Sequence, residues 1–181
     1  MSSHSNRKPA IFLDRDGVLC KEKSYVTNVN DIEIFDYSKD CIEEIKKKGY
    51  YTIVVTNQSG VARGLFSEID LQCINTYLQK ETGVDAIYYC PHHPKGIIEK
   101  YKVRCECRKP GTQLLRRAQG DFCIDMEHSY MVGDRASDIQ AGKNAGIKTI
   151  LLESGYGTKC LEQDVTPDYV RDDLRGILEL I

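Results

Sequence analysis

Five residues in three separate segments carry most of the chemistry that this sequence can offer. Asp14 and Asp16 flank Arg15 just before Gly17, Asp134 and Asp138 follow Gly133, and Lys109 precedes Pro110 and Gly111. A polar run, Thr56-Asn57-Gln58-Ser59-Gly60, adds hydroxyl, amide and backbone N–H donors. Taken singly, each has an ordinary structural use as a turn former, a helix cap or a solvated charge. Taken together they suit phosphoryl transfer through an aspartyl phosphate. One carboxylate attacks phosphorus, and a second gives a proton to the leaving oxygen and then takes one from water. A dianionic phosphate and carboxylates repel each other, so the set calls for Mg²⁺, which prefers one or two carboxylates plus waters. The lysine, the hydroxyl and backbone N–H groups would then steady the transferring oxygens.

The pattern around these residues predicts the elements that position them. Pro9–Asp14 reads as a short buried strand ending in an acid, and Tyr51–Thr56 as a second, rich in β-branched residues. Ala86–Cys90, Ser129–Gly133 and Lys148–Leu152 read as three more, with an edge strand near Asp168–Val170. Helices are expected over Asp36–Lys48 (closed by Gly49), from a Ser67 cap to Thr82, and over Gly111–Gln119, Asp138–Asn144 and Asp172–Leu180. In the second of these, Ile69, Cys73, Ile74, Tyr77 and Leu78 recur at helical spacing; in the third, Leu114, Leu115 and Ala118 point inward. Strands alternating with helices predict an α/β fold, a doubly wound, mostly parallel Rossmann-like sheet. Such sheets bind ligands at the carboxyl ends of their strands, where the acids fall.

The eight cysteines divide. Cys90-Pro91-His92 and Cys105-Glu106-Cys107 form C-x-H and C-x-C pairs, and three thiolates with one imidazole are what tetrahedral structural Zn²⁺ takes. His92 is preferred to His93 because it repeats the one-residue gap of the second pair. The ion would pin the long stretch Pro91–Arg104, which lacks a strand or helix signal and leads into Arg108 and Lys109. Cys41, Cys73 and Cys123 read as small buried hydrophobes, and Cys20 and Cys160 as packing. Lys46-Lys47-Lys48 complements a helix C-terminus.

In this order, DRDGVL, VVTNQSG, RKPG and VGDRASD resemble the four motifs of the haloacid dehalogenase superfamily of phosphatases, over about Ile11 to Leu152. The resemblance implies Asp14 as nucleophile, Asp16 as general acid and base, and Thr56 and Lys109 as phosphate ligands. It implies Mg²⁺ on Asp14, Asp134 and the backbone carbonyl of Asp16, with Asp138 behind them or capping a helix. Two branches that resemble this chain carry a zinc loop, the heptose 1,7-bisphosphate 7-phosphatases and the histidinol-phosphate phosphatases. CPHHP, the long loop before CECRKP, and TNQSGVARG are more similar to the heptose branch. That likeness implies Glu22, Lys23, Ser24, Tyr25, Asn57, Gln58, Ser59, Arg108 and Arg135 as substrate contacts, Arg63 as a candidate for the distal phosphate, and no separate cap domain. The expected reaction removes the 7-phosphate of a heptose bisphosphate; histidinol phosphate or another small sugar phosphate is the alternative.

Composition narrows the rivals. The chain has 181 residues, 41% hydrophobic and 29% charged, which suits one globular domain over 9–181 after a flexible tail 1–8, with the zinc loop spanning 90–107. A net charge of −2 and the lack of a basic-aromatic stripe argue against a zinc-knuckle nucleic-acid binder. Asp16, two residues after the nucleophile, argues against a phospho-acceptor receiver, because it would hasten hydrolysis of the phospho-aspartate. No signal-peptide core or ~18-residue apolar span is visible, so a cytoplasmic protein without membrane attachment is expected. The expected state is a monomer acting on a small phosphorylated sugar.

Overall fold

The chain was analysed as a computed structural model, which describes residues 7–161 and 165–181. Six strands, β1 (Lys8–Leu13), β2 (Tyr51–Asn57), β3 (Ala86–Cys90), β4 (Ile124–Gly133), β5 (Lys148–Leu152) and β6 (Tyr169–Arg171), form one sheet in the order β3-β2-β1-β4-β5-β6. Every adjacent pair is parallel. Parallel neighbours need crossovers, and helices α1 (Ser38–Lys47), α2 (Glu68–Thr82), α3 (Gln113–Phe122) and α4 (Ala136–Ala145) supply the four that lead up to β5.

Strand alternation sends side chains to both faces, and both faces are covered. Ile11, Leu13, Val54, Val132 and Ile150 meet Ile42 and Ile45 of α1, Leu78 of α2, and Leu174 and Ile177. On the other face Ala10, Phe12, Ile53, Val55 and Met131 meet Leu115 and Ala118 of α3 and Ala141 and Ala145 of α4. The chain leaves β1 toward β2 on one side and returns to β4 on the other. The crevice outside the carboxyl ends of β1 and β4 is therefore the switch point where such sheets take ligands.

Matching Thr–Asp clips anchor the starts of two strands. The Thr52 backbone N–H and hydroxyl both donate to Asp85 Oδ2, at 2.8 and 2.9 Å. Thr149 repeats this with Asp168, at 2.8 and 2.7 Å.

Several expectations change. The inward face of α2 is Leu71, Ile74, Asn75, Leu78 and Thr82, so Ile74 and Leu78 stay inside while Ile69, Cys73 and Tyr77 face out. Two apolar registers overlap in that helix, and packing on the sheet selects one. Cys123 is exposed and ends α3 in the left-handed region at φ +52°. Helix α3 begins two residues later than expected, at Gln113, and runs to Phe122. Strand β4 begins at Ile124, because Lys8 and Pro9 pair with Ile124 and Asp125 before a register shift hides the strand's start from its polar sequence. The C-terminal segment forms a 3-10 helix over Leu174–Glu179, and the zinc-loop stretch contains a 3-10 turn, Glu99–Tyr101.

Candidate active site

The backbone of Asp14 continues β1, its N–H donating to the Val132 carbonyl at 2.9 Å, and the chain then turns sharply. Gly17 makes the turn at φ +80°, and its N–H donates to the Cys20 carbonyl at 2.7 Å. A Cβ on Gly17 would lie 2.3 Å from Asp134 Oδ2, and one on Gly155 would lie 2.0 Å from the same oxygen. Asp134, at the end of β4, is thus packed between two glycines and is fully buried. The Tyr156 N–H donates to its Oδ2 at 2.9 Å. Asp138 accepts from the Arg135 N–H at 3.0 Å, which caps α4 and turns the carboxylate back under β4.

Lys109 joins these acids. Its buried ammonium lies 2.9 Å from Asp14 Oδ1, 2.6 Å from Asp138 Oδ1 and 2.7 Å from the Val55 carbonyl. Asn57 fixes the backbone that delivers it: the Lys109 N–H donates to Asn57 Oδ1 at 2.9 Å, and Asn57 Nδ2 donates to the Lys109 carbonyl at 3.1 Å. Burial works against the charge on Lys109, but Asp138 and Asp14 outweigh it and hold the group above its ordinary value.

Of the three buried carboxylates, Asp14 and Asp138 pair with the one ammonium. Burial, then Asp14 and Asp138, push the Asp134 carboxyl up to about 8. Burial, with Asp14 opposing the relief that Lys109 gives, pushes Asp138 up to about 6. Ligand oxygens of Asp14, Asp134 and Asp138 lie within 4.8 Å of one another, and Asp134 Oδ1 is buried without a hydrogen-bond partner. A hard oxygen set with excess negative charge and an unpaired buried oxygen fits a divalent cation of the Mg²⁺ type.

A cavity of about 140 Å³ opens over this group, lined by Asp14, Asp16, Lys109 and Asp138 on one side. Glu22, Ser24, Tyr25, Asn57, Gln58, Ser59, Arg108, Arg135 and Ser137 complete the wall. Most of the expected contacts therefore converge, while Thr56, Lys23 and Arg63 are not among the lining residues. Thr56 is buried, and its hydroxyl accepts from Gln58 Nε2 at 3.0 Å. Lys23 turns to Glu33, 3.2 Å away, and to the Asp31 carbonyl. Arg63 Nη2 lies 3.5 Å from His93 Nε2. Across the opening Arg135 pairs with Glu22 at 3.0 Å and stacks on the Tyr156 ring, 4.0 Å from its centroid.

Beside the cavity, Cys107 Sγ lies 3.1 Å from both Cys90 Sγ and Cys105 Sγ and 3.2 Å from His92 Nδ1. Ligands about 2.3 Å from one tetrahedral ion would stand roughly 3.8 Å apart, so a slight expansion of this cluster accepts Zn²⁺. His93 lies elsewhere, its Nδ1 accepting from the Lys95 N–H at 3.1 Å. Burial raises the Cys107 thiol to about 11, as befits a site whose thiolates need a cation. Arg108 follows directly and donates to the His92 carbonyl at 3.4 Å.

Sequence reasoning underrated Asp138, which holds Lys109, and did not single out Ser137 or the Ser154–Tyr156 loop. It also passed over Arg15, an arginine between two acids at the end of an apolar strand, which was the available signal. Asp138, Ser154 and Tyr156 act through partners distant in sequence; the Ser154 hydroxyl, for example, donates to the Gly17 carbonyl at 2.6 Å.

Comparison with known proteins supports phosphatase chemistry. The chain is 42% identical over 178 residues to a D-glycero-beta-D-manno-heptose-1,7-bisphosphate 7-phosphatase of Escherichia coli (strain K12), covering 96% of this chain and 93% of the other. The chain belongs to this phosphatase family. A counterpart from Salmonella typhi is 40% identical over 174 residues, covering 93% of each chain. A family model described as HAD-hydrolase-like matches residues 106–177 of the phosphatase. Among solved structures, the D,D-heptose 1,7-bisphosphate phosphatase from B. bronchiseptica, complexed with magnesium and phosphate, matches with a TM-score of 0.81 and 32% identity. That match covers 95% of the phosphatase and 97% of the other chain.

Proposed function

We propose that this phosphatase removes the 7-phosphate of D-glycero-β-D-manno-heptose 1,7-bisphosphate, leaving heptose 1-phosphate. The observation that carries the reading is the convergence of Asp14, Asp16 and Lys109 on one cavity walled by Glu22, Arg108 and Arg135. The names of the relatives, which specify the β anomer, support that choice. Product analysis tests it: β-heptose bisphosphate should be hydrolysed faster than its α anomer and faster than histidinol phosphate, with the 1-phosphate retained. Faster turnover of histidinol phosphate overturns the assignment.

In the proposed mechanism Asp14 attacks phosphorus. The Lys109 ammonium and the Arg15 N–H both occupy its Oδ1, the latter at 2.8 Å, which leaves Oδ2 for the attack. Asp16 gives its proton to the departing sugar oxygen as the P–O bond breaks. It then takes a proton from the water that attacks the aspartyl phosphate, releasing phosphate and restoring the Asp14 carboxylate. Lys109 and the loop Asn57–Ser59 steady the phosphoryl oxygens, with Thr56 beneath the loop accepting from Gln58. Asp14, Asp134 and the Asp16 carbonyl would hold Mg²⁺, which when bound offsets the repulsion between the carboxylates and the phosphate. Arg108, Glu22, Ser24 and Tyr25 face the sugar and its distal phosphate, with Arg63 behind them.

Cys90, His92, Cys105 and Cys107 would hold a structural Zn²⁺, since all four ligand positions come from the protein. Free thiols at those positions suit a reducing cytoplasm. No helix among the described residues is long and apolar enough to cross a membrane. We take the working unit to be one capless domain acting as a monomer, its expected start at residue 9 moving to Lys8 because Lys8 pairs with Ile124 in the sheet.

A further inference from the structure

Arg15 is the largest fully buried side chain among the described residues, 1% exposed at the mouth of an otherwise apolar strand. Burying a guanidinium costs several kcal/mol unless it is paired and hydrogen-bonded. Its partner is Asp16. Arg15 Nε lies 3.1 Å from each Asp16 oxygen, and Nη2 reaches the same carboxylate at 2.9 Å. Nη2 also donates to Gln58 Oε1 at 3.1 Å, and Gln58 Nε2 donates onward to Asp16 Oδ2 at 2.9 Å. Arg15, Asp16 and Gln58 thus form a closed ring. Gln58 comes from the loop after β2 and is itself fixed by its N–H to the Cys90 carbonyl at 2.8 Å. The Arg15 carbonyl closes the turn below, accepting from the N–H groups of Leu19 and Cys20 at 3.0 and 3.2 Å.

Asp16 and Gln58 line the cavity and Arg15 does not. From this arrangement we infer that Arg15 is a positioning residue for Asp16, clasping its carboxyl with Gln58 so that it meets the leaving oxygen in one orientation. A planar fork can grip both oxygens of a carboxylate and a third acceptor at once, which a lysine ammonium cannot. The inference rests on the general acid and base role proposed for Asp16.

The test uses the leaving group. A sugar alcohol needs a proton to depart, whereas p-nitrophenolate leaves without one, and kcat/KM covers only the steps up to the first P–O cleavage. The purified protein and its Arg15→Lys, Arg15→Met and Asp16→Asn variants are compared on heptose bisphosphate and on p-nitrophenyl phosphate. If heptose bisphosphate is not turned over, the alkyl phosphate hydrolysed fastest replaces it. Melting curves and zinc content identify the folded variants; Arg15→Lys, which keeps the buried charge, serves where Arg15→Met does not fold.

The ratio of kcat/KM for the alkyl ester to that for the aryl ester should fall about 10-fold or more in the Arg15 variants. The loss should lie in kcat, with KM for the sugar phosphate little changed. Asp16→Asn should show the same split, only larger. Parallel losses on both esters, or no loss, in an Arg15 variant while Asp16→Asn still splits them overturns the positioning role alone. No split in Asp16→Asn overturns the reading of Asp16, and the inference with it.

Discussion

Asp134 shows how one residue's surroundings set its chemistry. Its carboxyl is pushed up to about 8, against about 3.9 for an unfolded Asp. Between those values the folded state holds a proton that the unfolded state has released, so stability falls as pH rises across that window. In magnesium-free buffer the melting temperature should therefore drop between roughly pH 5 and 8. Millimolar Mg²⁺ should reverse the drop, most strongly at the alkaline end. Asp134→Asn should flatten both responses and lower turnover at least about 10²-fold; an unchanged Mg²⁺ response in that variant would remove Asp134 from the metal site. Gly17 is constrained for a related reason. Its φ of +80° and the 2.3 Å approach of a Cβ to Asp134 mean that Gly17→Ala combines backbone strain with a displaced carboxylate. The expected cost is about 1–2 kcal/mol in denaturant melts, with activity lost more than stability.

At the level of elements, the Thr–Asp clips hold the starts of β2 and β5 to the chain entering β3 and β6. Burial tends to raise Asp85, but Lys46, 2.9 Å away, and the donors of Thr52 outweigh it and hold the carboxyl below its usual range. The stability this contributes is present above the unfolded value near 3.9 and is lost as pH falls through the lower, folded one. Asp85→Asn should thus cost about 1–2 kcal/mol at pH 7, and the gap from the parent should close in strong acid. Urea melts at the two pH values measure this, and a gap independent of pH would deny the carboxylate its part. The same scale explains what was hard to read in advance. Ser67 was legible as a cap because its bonds to Asp70 are local. The inward face of α2 was not, because Ile69, Cys73 and Tyr77 form as good a helical stripe as Leu71, Asn75 and Thr82 until a sheet lies beneath one of them.

For the whole molecule, the cysteine cluster and the proposed catalytic cavity are joined by one stretch of chain. Cys107, Arg108 and Lys109 are consecutive, so the loop that carries the thiols also delivers two cations to the cavity wall. Glu68 at the start of α2 ties the loop down from outside, accepting hydroxyls from Tyr89 at 2.9 Å and Tyr101 at 2.5 Å. Metal analysis of the native protein should find about one zinc per chain. Cys107→Ser should lose it, melt at lower temperature and turn over at least about 10-fold more slowly, through displaced Arg108 and Lys109. A zinc-free variant with full activity would separate the two sites.

The sequence by itself determined the chemistry and the class of fold. Acids at strand ends, a lysine before Pro-Gly, and paired Cys-x-Cys and Cys-x-His spacings are local patterns, and strand–helix alternation dictates a parallel sheet. Only the tertiary structure decided how those groups face one another. Lys109 is held between Asp14 and Asp138, Thr56 lies beneath Gln58, Lys23 turns outward to Glu33, and Arg15 clasps Asp16 with the help of Gln58. Lys23–Glu33, Thr56–Gln58 and the adjacent pair Arg15–Asp16 are near in sequence; the Lys109 pairs and the Arg15–Gln58 bond join residues brought together by the crossovers of the sheet. Their geometry is set by packing across the sheet's two faces, which no local spacing encodes.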